Sequence, residues 1–214
     1  ETLNDGVITD EVMVNEYYRK MLIECRSMER LVGDLFILSK MQNPDFKIEK
    51  EPVSIRQVFG DVLRSAREIA RKKNITITQK LSVDDEEPCM ILGDYERLRQ
   101  MFMIIIDNAV KFSYESGEII ISIEKRITPK KQVKIYVSIQ DFGVGISKEA
   151  LPYIFEKFYK SKLKQNQKGT GLGLMIAKQI ALRHGCDIMV ESEIEQGTKF
   201  AFEFEECVSM DEYE

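Results

Sequence analysis

Between residues 10 and 42 apolar side chains recur in steps of four and three: Val14, Tyr18, Met21, Cys25, Met28, Val32 and Leu35. That spacing is the seam of a coiled coil or helix bundle and predicts one long helix. Glu24, Arg26, Glu29 and Arg30 fall on its outer face. A lone helix cannot cover such a stripe, so the pattern calls for partner helices. The rest of the sequence offers none that is obvious. Asn43-Pro44 ends the helix.

From about residue 45 the texture becomes mixed. Residues 46–53 alternate as a strand does. Ser54, with Gln57 three positions on, forms a capping box. It opens a helix with Ile55, Val58, Phe59, Val62, Ala66 and Ile69 on one face. A short strand is expected near Ile75 and Ile77. Asp94 caps a helix over about 95–113, which is apolar nearly all round through 101–106 and so is buried on several sides. Two alternating runs, Ile119/Ile121/Ile123 and Val133/Ile135/Val137/Ile139, predict a hairpin turning at Thr128-Pro129-Lys130-Lys131. A glycine segment at 143–145, a short helix, a polar loop near 160–170 and a helix from 171 to about 183 follow. Residues 188–191 and 199–204 predict a last hairpin through Gln196-Gly197. The order implies a long helix and then an α+β domain, its helices covering one face of a mostly antiparallel sheet. The expected divisions are 1–43, 44–206 and a loose acidic tail, 207–214.

Composition narrows the classes. A chain of 214 residues can hold one medium domain with an appendage, or two small ones. A net charge of −5 gives the molecule no basic footprint for nucleic acid. The longest apolar run, 101–106, is far too short to span a membrane. No signal-peptide pattern opens the sequence. Cys25, Cys89, Cys186 and Cys207 are scattered without CxxC spacing, as in reduced cytosolic proteins. The lone His184 cannot assemble a metal cluster. Residues 1–6 read as the tail of an element entering a loop, with no initiator Met, so the chain is expected to be a piece of a longer protein.

Four features could carry chemistry. Asn108 lies on the buried helix and shares a face with Ile104 and Lys111. It is either an amide satisfied within the core or a hard oxygen ligand for Mg²⁺ bridging nucleotide phosphates. Asp141-Phe142-Gly143-Val144-Gly145 follows a strand directly. It is either a turn with a capping Asp or a carboxylate that accepts from an amine such as adenine N6, its glycines letting the backbone approach a flat ring. Gly169-Thr170-Gly171-Leu172-Gly173 opens a helix, where free amides and the positive helix end suit phosphate oxygens. It lacks the Lys-Ser/Thr ending of a P-loop and the GxGxxG of a dinucleotide fold. Lys157, Lys160, Lys162, Lys164 and Lys168 stud the loop between, as a solvated mobile segment or as a lid meeting a polyphosphate, with Phe155 and Phe158 anchoring its base by apolar contact.

Each feature is modest, but their order is specific. It closely resembles the catalytic domain of sensor histidine kinases, within the superfamily that also holds gyrase, Hsp90 and MutL. Residues 93–112 look like the family's N box, 141–145 its G1 box, 155–158 its F box and 169–174 its G2 box. The resemblance implies a two-layer α/β sandwich, the Bergerat-type ATP-binding fold, preceded by one long helix that matches the second helix of a dimerisation and phosphotransfer domain. It implies ATP and Mg²⁺, with Asn108 as the metal ligand, Asn108 and Lys111 as the catalytic pair, Asp141 as adenine reader, and Lys111 and Lys157 as phosphate contacts. The implied binding set is completed by Phe112, Gly143, Gly145, Ile146, Phe155, Lys160, Gly169, Thr170, Gly171, Leu172 and Gly173. It also implies a phosphoacceptor histidine upstream of this chain, a response regulator, a homodimeric parent, and a cytoplasmic setting for a parent that membrane helices can anchor.

Two departures matter. The phosphoacceptor helix is absent, and Arg183-His184-Gly185 matches a turn before a late strand, so His184 reads as structural. Ile104 stands where the family's N box usually has a second Asn; an aliphatic side chain binds neither metal nor water, which thins the expected Mg²⁺ coordination. The hydrolytic ATPases of the superfamily have a Glu there as general base, and Ile104 cannot take a proton. Transfer to an external acceptor is therefore favoured over a motor- or chaperone-type ATPase. A degenerate module acting through protein partners is the alternative.

Overall fold

The computed structural model of the protein describes residues 10–43, 45–81, 89–161 and 169–207. Helix α1, Glu11–Gln42, starts on Asp10, whose carboxylate accepts from the Val12 amide, and stops at Asn43. Strand β1 is Glu51–Ser54 and helix α2 Ile55–Arg71; the Ser54 hydroxyl accepts from the Gln57 amide. Strands β2 (Thr76–Leu81) and β3 (Met90–Gly93) precede helix α3, Tyr95–Phe112, capped by Asp94. Strands β4 (Glu118–Ile127) and β5 (Val133–Asp141) form the first hairpin. A single 3₁₀ turn at Leu151–Tyr153 follows, then helix α4 (Gly173–Arg183) and the second hairpin, β6 (Ile188–Glu193) with β7 (Gly197–Glu205).

Five strands make one sheet in the order β2-β4-β5-β7-β6, antiparallel except for the β2–β4 pair. Ile119, Ile121 and Ile123 of β4, Ile135, Val137 and Ile139 of β5, and Phe200, Phe202 and Phe204 of β7 are all buried. Their every-second-residue spacing puts them on one sheet face. They share a single core with Val58 and Phe59 of α2, Met101, Phe102 and Ile105 of α3, and Ile176 and Ile180 of α4. Each such side chain contributes roughly 1.5–3 kcal/mol by leaving water. Phe102 sits at the centre, its ring 4.5 Å from Phe59 and 5.3 Å from Phe202. The α+β two-layer expectation holds.

Three local expectations are corrected. Residues 46–50 are not strand; only Glu51–Ser54 is, and it pairs with β3, which the sequence pattern did not announce. Helix α4 begins at Gly173 rather than 171, because Gly171 takes a left-handed φ of 75°. Phe158 does not anchor a lid by apolar contact: it is 55% exposed. The seam of α1, for which the sequence offers no obvious partner helices, stays open, with Tyr18 58% and Met28 and Val32 each 65% exposed. A different stripe of α1 docks on the domain instead: Leu38 and Met41 are buried, and Leu31 and Ile37 pack beside them. Lys162, Lys164, Lys168 and most of the acidic tail lie outside the described residues. Among the described residues no helix is long and apolar enough to cross a membrane.

Candidate functional site

Asp141 ends β5, directly opposite Ile119 of β4 and Thr198 of β7. It is only 4% exposed. Its Oδ1 accepts from the Gly143 amide at 3.0 Å, and the Thr198 backbone amide also bonds the carboxylate. Burial outweighs both bonds and pushes its pKa from the usual 3.8 up to about 6. An ionised carboxylate offers about four acceptor positions. Two amides leave room for a further donor at the head of the glycine turn. Thr198 escapes a reading of the sequence because only the strand register brings it to Asp141.

The glycine turn is clamped on both sides. The Val144 amide donates to the Phe112 carbonyl at 3.1 Å, tying the turn to the end of α3. The Glu195 amide donates to the Val144 carbonyl at 3.0 Å, and the Ile146 amide to Ser192 Oγ at 2.8 Å, tying it to the β6–β7 hairpin. A Cβ at position 143 would collide with the Phe112 carbonyl, and one at 145 with that of Glu193, where φ is also +67°. The glycines are therefore required by backbone packing within the protein; that, rather than approach of a flat ring, is the reason the structure gives for them.

Helix α3 supplies the next side. Ile104, Asn108 and Lys111 keep to one face, as the spacing predicts. Asn108 is half-buried, and its side chain forms no hydrogen bond among the described residues. Lys111 is half-buried with its ammonium 4.9 Å from the Phe112 ring centre. Burial lowers its pKa, Asp107 opposes that shift, and the charge of Lys160 adds to it. Lys111 and Lys160 thus lie within electrostatic reach of each other. The last turn of α3 is held by Lys73, whose ammonium donates to the carbonyls of Val110 (3.0 Å), Lys111 (2.7 Å) and Ser113 (3.2 Å). A cation there satisfies carbonyls that have no partner in the helix. Lys73 looks in sequence like an ordinary solvated residue at a helix end.

The remaining segments close on α4. The Phe158 amide donates to the Gly171 carbonyl at 3.0 Å, joining the segment at 155–158 to the one at 169–173. Phe155 packs on the core with the Lys178 ammonium 5.1 Å from its ring centre. A Cβ on Gly173 would stand 3.3 Å from Ile104 Cγ2, so Ile104 seats the start of α4. Leu172 is buried. Thr170 Oγ1 accepts from the Leu172 amide at 3.3 Å and donates to Asp34 of α1 at 2.8 Å. Lys157 donates to Gln42 of α1 at 3.1 Å. The structure so joins Phe112 to the glycine turn, Phe158 to Gly171, and Ile104 of the Asn108 face to Gly173, while Lys157 is occupied by α1. A recess of about 490 Å³ between Phe155 and α4, reached by Lys157 and Lys178, lies apart from Asp141 and Asn108. The buried, part-satisfied carboxylate marks the chemistry more strongly than that hollow does.

His184 is excluded from chemistry by its bonds. It is buried, Nδ1 lies 2.8 Å from the Ile180 carbonyl, and Nε2 accepts the Asp94 amide at 3.0 Å. One ring nitrogen holds the N-terminus of α3 and the other bonds the last turn of α4, so both are engaged. Among the described residues no group of three His, Cys, Asp or Glu side chains can hold a metal. A metal that fits here would draw most of its ligands from substrate and water, as Mg²⁺ does.

The sequence profile of the family described as "Histidine kinase-, DNA gyrase B-, and HSP90-like ATPase" matches residues 93–207. The chain is 30% identical over 185 residues to the sensor histidine kinase YkoH of Bacillus subtilis (strain 168), covering 86% of this chain and 38% of that protein. Among solved structures it is similar to full-length ShkA in complex with AMPPNP, with a TM-score of 0.72 and 27% identity, over 91% of this chain and 40% of that one. It is also similar to the catalytic domain of the histidine kinase ThkA, with a TM-score of 0.63 and 29% identity, over 74% of this chain and 97% of that one. The chain therefore spans well under half the length of YkoH and nearly the whole of an isolated catalytic domain.

Proposed function

The chain belongs to the histidine kinase-, DNA gyrase B- and HSP90-like ATPase family and carries an ATP-binding catalytic domain of the histidine-kinase type; from that premise we propose that it holds ATP with the adenine at Asp141 and the phosphates toward Asn108, Lys111, Lys160 and 169–173, for transfer of the γ-phosphoryl group to a histidine outside this sequence. The observation that carries the assignment is the buried Asp141 carboxylate, part-satisfied by the Gly143 and Thr198 amides, at the head of a turn docked on α3. Ionised, it accepts a hydrogen from the adenine amine. Lys111 and Lys160 bring positive charge toward the polyphosphate. The Asn108 carbonyl oxygen is the protein's ligand for Mg²⁺, and Mg²⁺ when bound neutralises phosphate charge.

Phosphoryl transfer asks chiefly for positioning and charge neutralisation. A nitrogen of the acceptor imidazole bonds to the γ-phosphorus as the bond to the ADP oxygen breaks. Ile104, packed against Gly173, presents no atom that could take a proton from water. His184 is the only histidine of the sequence and is buried with both nitrogens engaged, so the acceptor lies on another segment. In this reading residues 1–43 are a remnant of a dimerisation and phosphotransfer domain, 44–206 are the catalytic unit and 207–214 a tail. The whole protein is a homodimeric kinase that passes its phosphoryl group to a response-regulator aspartate. YkoH, ShkA and ThkA lend no support to a degenerate module.

Calorimetric titration with a non-hydrolysable ATP analogue tests the proposal. The parent binds it below millimolar concentration, and Asp141→Asn weakens binding by about 30-fold, the worth of one hydrogen bond to a charged group. No binding to the parent at millimolar analogue overturns the proposal. Equal binding by parent and variant overturns the role of Asp141. Phosphohistidine formed on an acceptor-helix domain supplied in trans reports the kinase step.

A further inference from the structure

One carboxylate from outside the catalytic unit reaches into the site. Asp34, half-buried on α1, receives the hydroxyl hydrogen of Thr170 at 2.8 Å. A hydroxyl has one hydrogen to give. The same Thr170 oxygen takes the Leu172 amide at 3.3 Å, at the point where α4 begins. With α1 in this position the hydroxyl hydrogen is therefore committed to Asp34, and the neighbouring amide to Thr170. Asp34 also sets a negative charge beside a segment whose amides and helix end favour anions.

The position of α1 is well secured. Leu38 and Met41 are 2% and 1% exposed against the core. The Arg183 guanidinium donates to the Met41 carbonyl (2.6 and 3.2 Å), the Asn43 carbonyl (2.7 Å) and the Phe46 carbonyl (2.8 Å). Gln42 accepts from Lys157 at 3.1 Å. All these contacts lie on the C-terminal part of α1 or just beyond it. Asp34 is thus delivered to Thr170 by a docked element and is not a stray surface contact.

We propose that Asp34 withholds Thr170 from the nucleotide: docked α1 keeps the hydroxyl hydrogen and adds charge that repels a polyphosphate, and release of α1 turns both effects off. The position of α1 then sets the affinity for triphosphate while leaving adenine recognition alone. This inference rests on 169–173 being the phosphate end of the ATP site proposed above.

The test titrates the 214-residue chain with a non-hydrolysable ATP analogue plus Mg²⁺, and separately with adenosine, for the parent, Asp34→Ala and Asp34→Asn. Asp34→Ala is expected to bind the analogue about fivefold more tightly, the worth of one further net hydrogen bond, with adenosine affinity unchanged. Asp34→Asn keeps an acceptor for Thr170 without the charge and falls between. Analogue binding by Asp34→Ala that is unchanged or weaker, or an equal shift for adenosine, overturns the inference while the ATP reading stands. A parent that binds neither ligand overturns both.

Discussion

The two ends of the site are built by different means. At the Asp141 end, backbone grips backbone: the glycine turn is wedged between the Phe112 carbonyl and the β6–β7 hairpin, and the one charged group is buried. At the Asn108 end, side chains do the work: an amide without a described partner, two lysines within electrostatic reach, and a threonine hydroxyl tied to α1. Backbone packing fixes position within tenths of an ångström and tolerates no added atom. Long side chains near the surface adjust, and their charges are screened. In the proposed site the contrast gives ligand selection to a rigid end and leaves regulation to a compliant one.

The comparison breaks most violently at the rigid end. Gly143→Ala drives a methyl group into the Phe112 carbonyl. Backbone on both sides cannot yield, so the change is expected to cost roughly 3 kcal/mol or more, read as a fall in Tm of about 6–12 °C.

Next in size is the response to pH. In the proposed site the adenine amine is met by ionised Asp141, whose pKa burial pushes up to about 6. Affinity for adenosine, which carries no phosphate to titrate, is therefore expected to be about tenfold lower at pH 5 than near pH 7.5, and the dependence is expected to vanish in Asp141→Asn. Stability of the unliganded protein carries opposed contributions, from Asp141 and Asp107, whose pKa values burial raises, and from His184. The raised pKa of Asp141 stabilises the fold fully below about 3.8 and is lost as pH rises through about 6. Burial lowers the pKa of His184 from 6.5, so its contribution is full above 6.5 and is lost as pH falls through the depressed value. Chemical denaturation of the double variant Asp141→Asn, Asp107→Asn across pH 4–8 removes both raised carboxylates and leaves the His184 slope, which is expected to show stability rising with pH.

The smallest effect belongs to the compliant end. Asn108→Ala should lose about fivefold in affinity when Mg²⁺ is present, on the order of 1 kcal/mol, and nothing when Mg²⁺ is chelated. Titrations with and without the metal check it. An equal loss in both would mean that Asn108 supports the fold and does not bind the metal.

What could be read from the sequence was local. The caps Ser54 and Asp94 stand where their side-chain chemistry requires, and the two hairpins follow the alternation of their isoleucines and phenylalanines. The ordered glycine motifs were legible because few other residues tolerate such close backbone contact. Strand β3 was missed because Met90-Ile91-Leu92-Gly93 does not alternate and exists only by pairing with β1. Helix α4 starts late because a contact with Phe158 turns Gly171, a constraint 13 residues distant in sequence from any helix signal. Asp34, Lys73 and Thr198 were invisible for a shared reason. Each acts on the site through a partner far along the chain: Asp34 is 136 positions from Thr170, and Lys73 is 38 from Lys111.

The clasp of Arg183 on the carbonyls of Met41, Asn43 and Phe46 also has a mechanical meaning. It is a fulcrum. Helix α1 extends about 45 Å from Met41 to its far end at Glu11, while Asp34 lies only about 10 Å from the same point. Motion about the fulcrum is therefore geared down between four- and fivefold, as in a lever with one short arm. A sideways swing of about 4 Å at the far end becomes about 1 Å at Asp34, enough to carry its oxygen beyond hydrogen-bonding reach of Thr170.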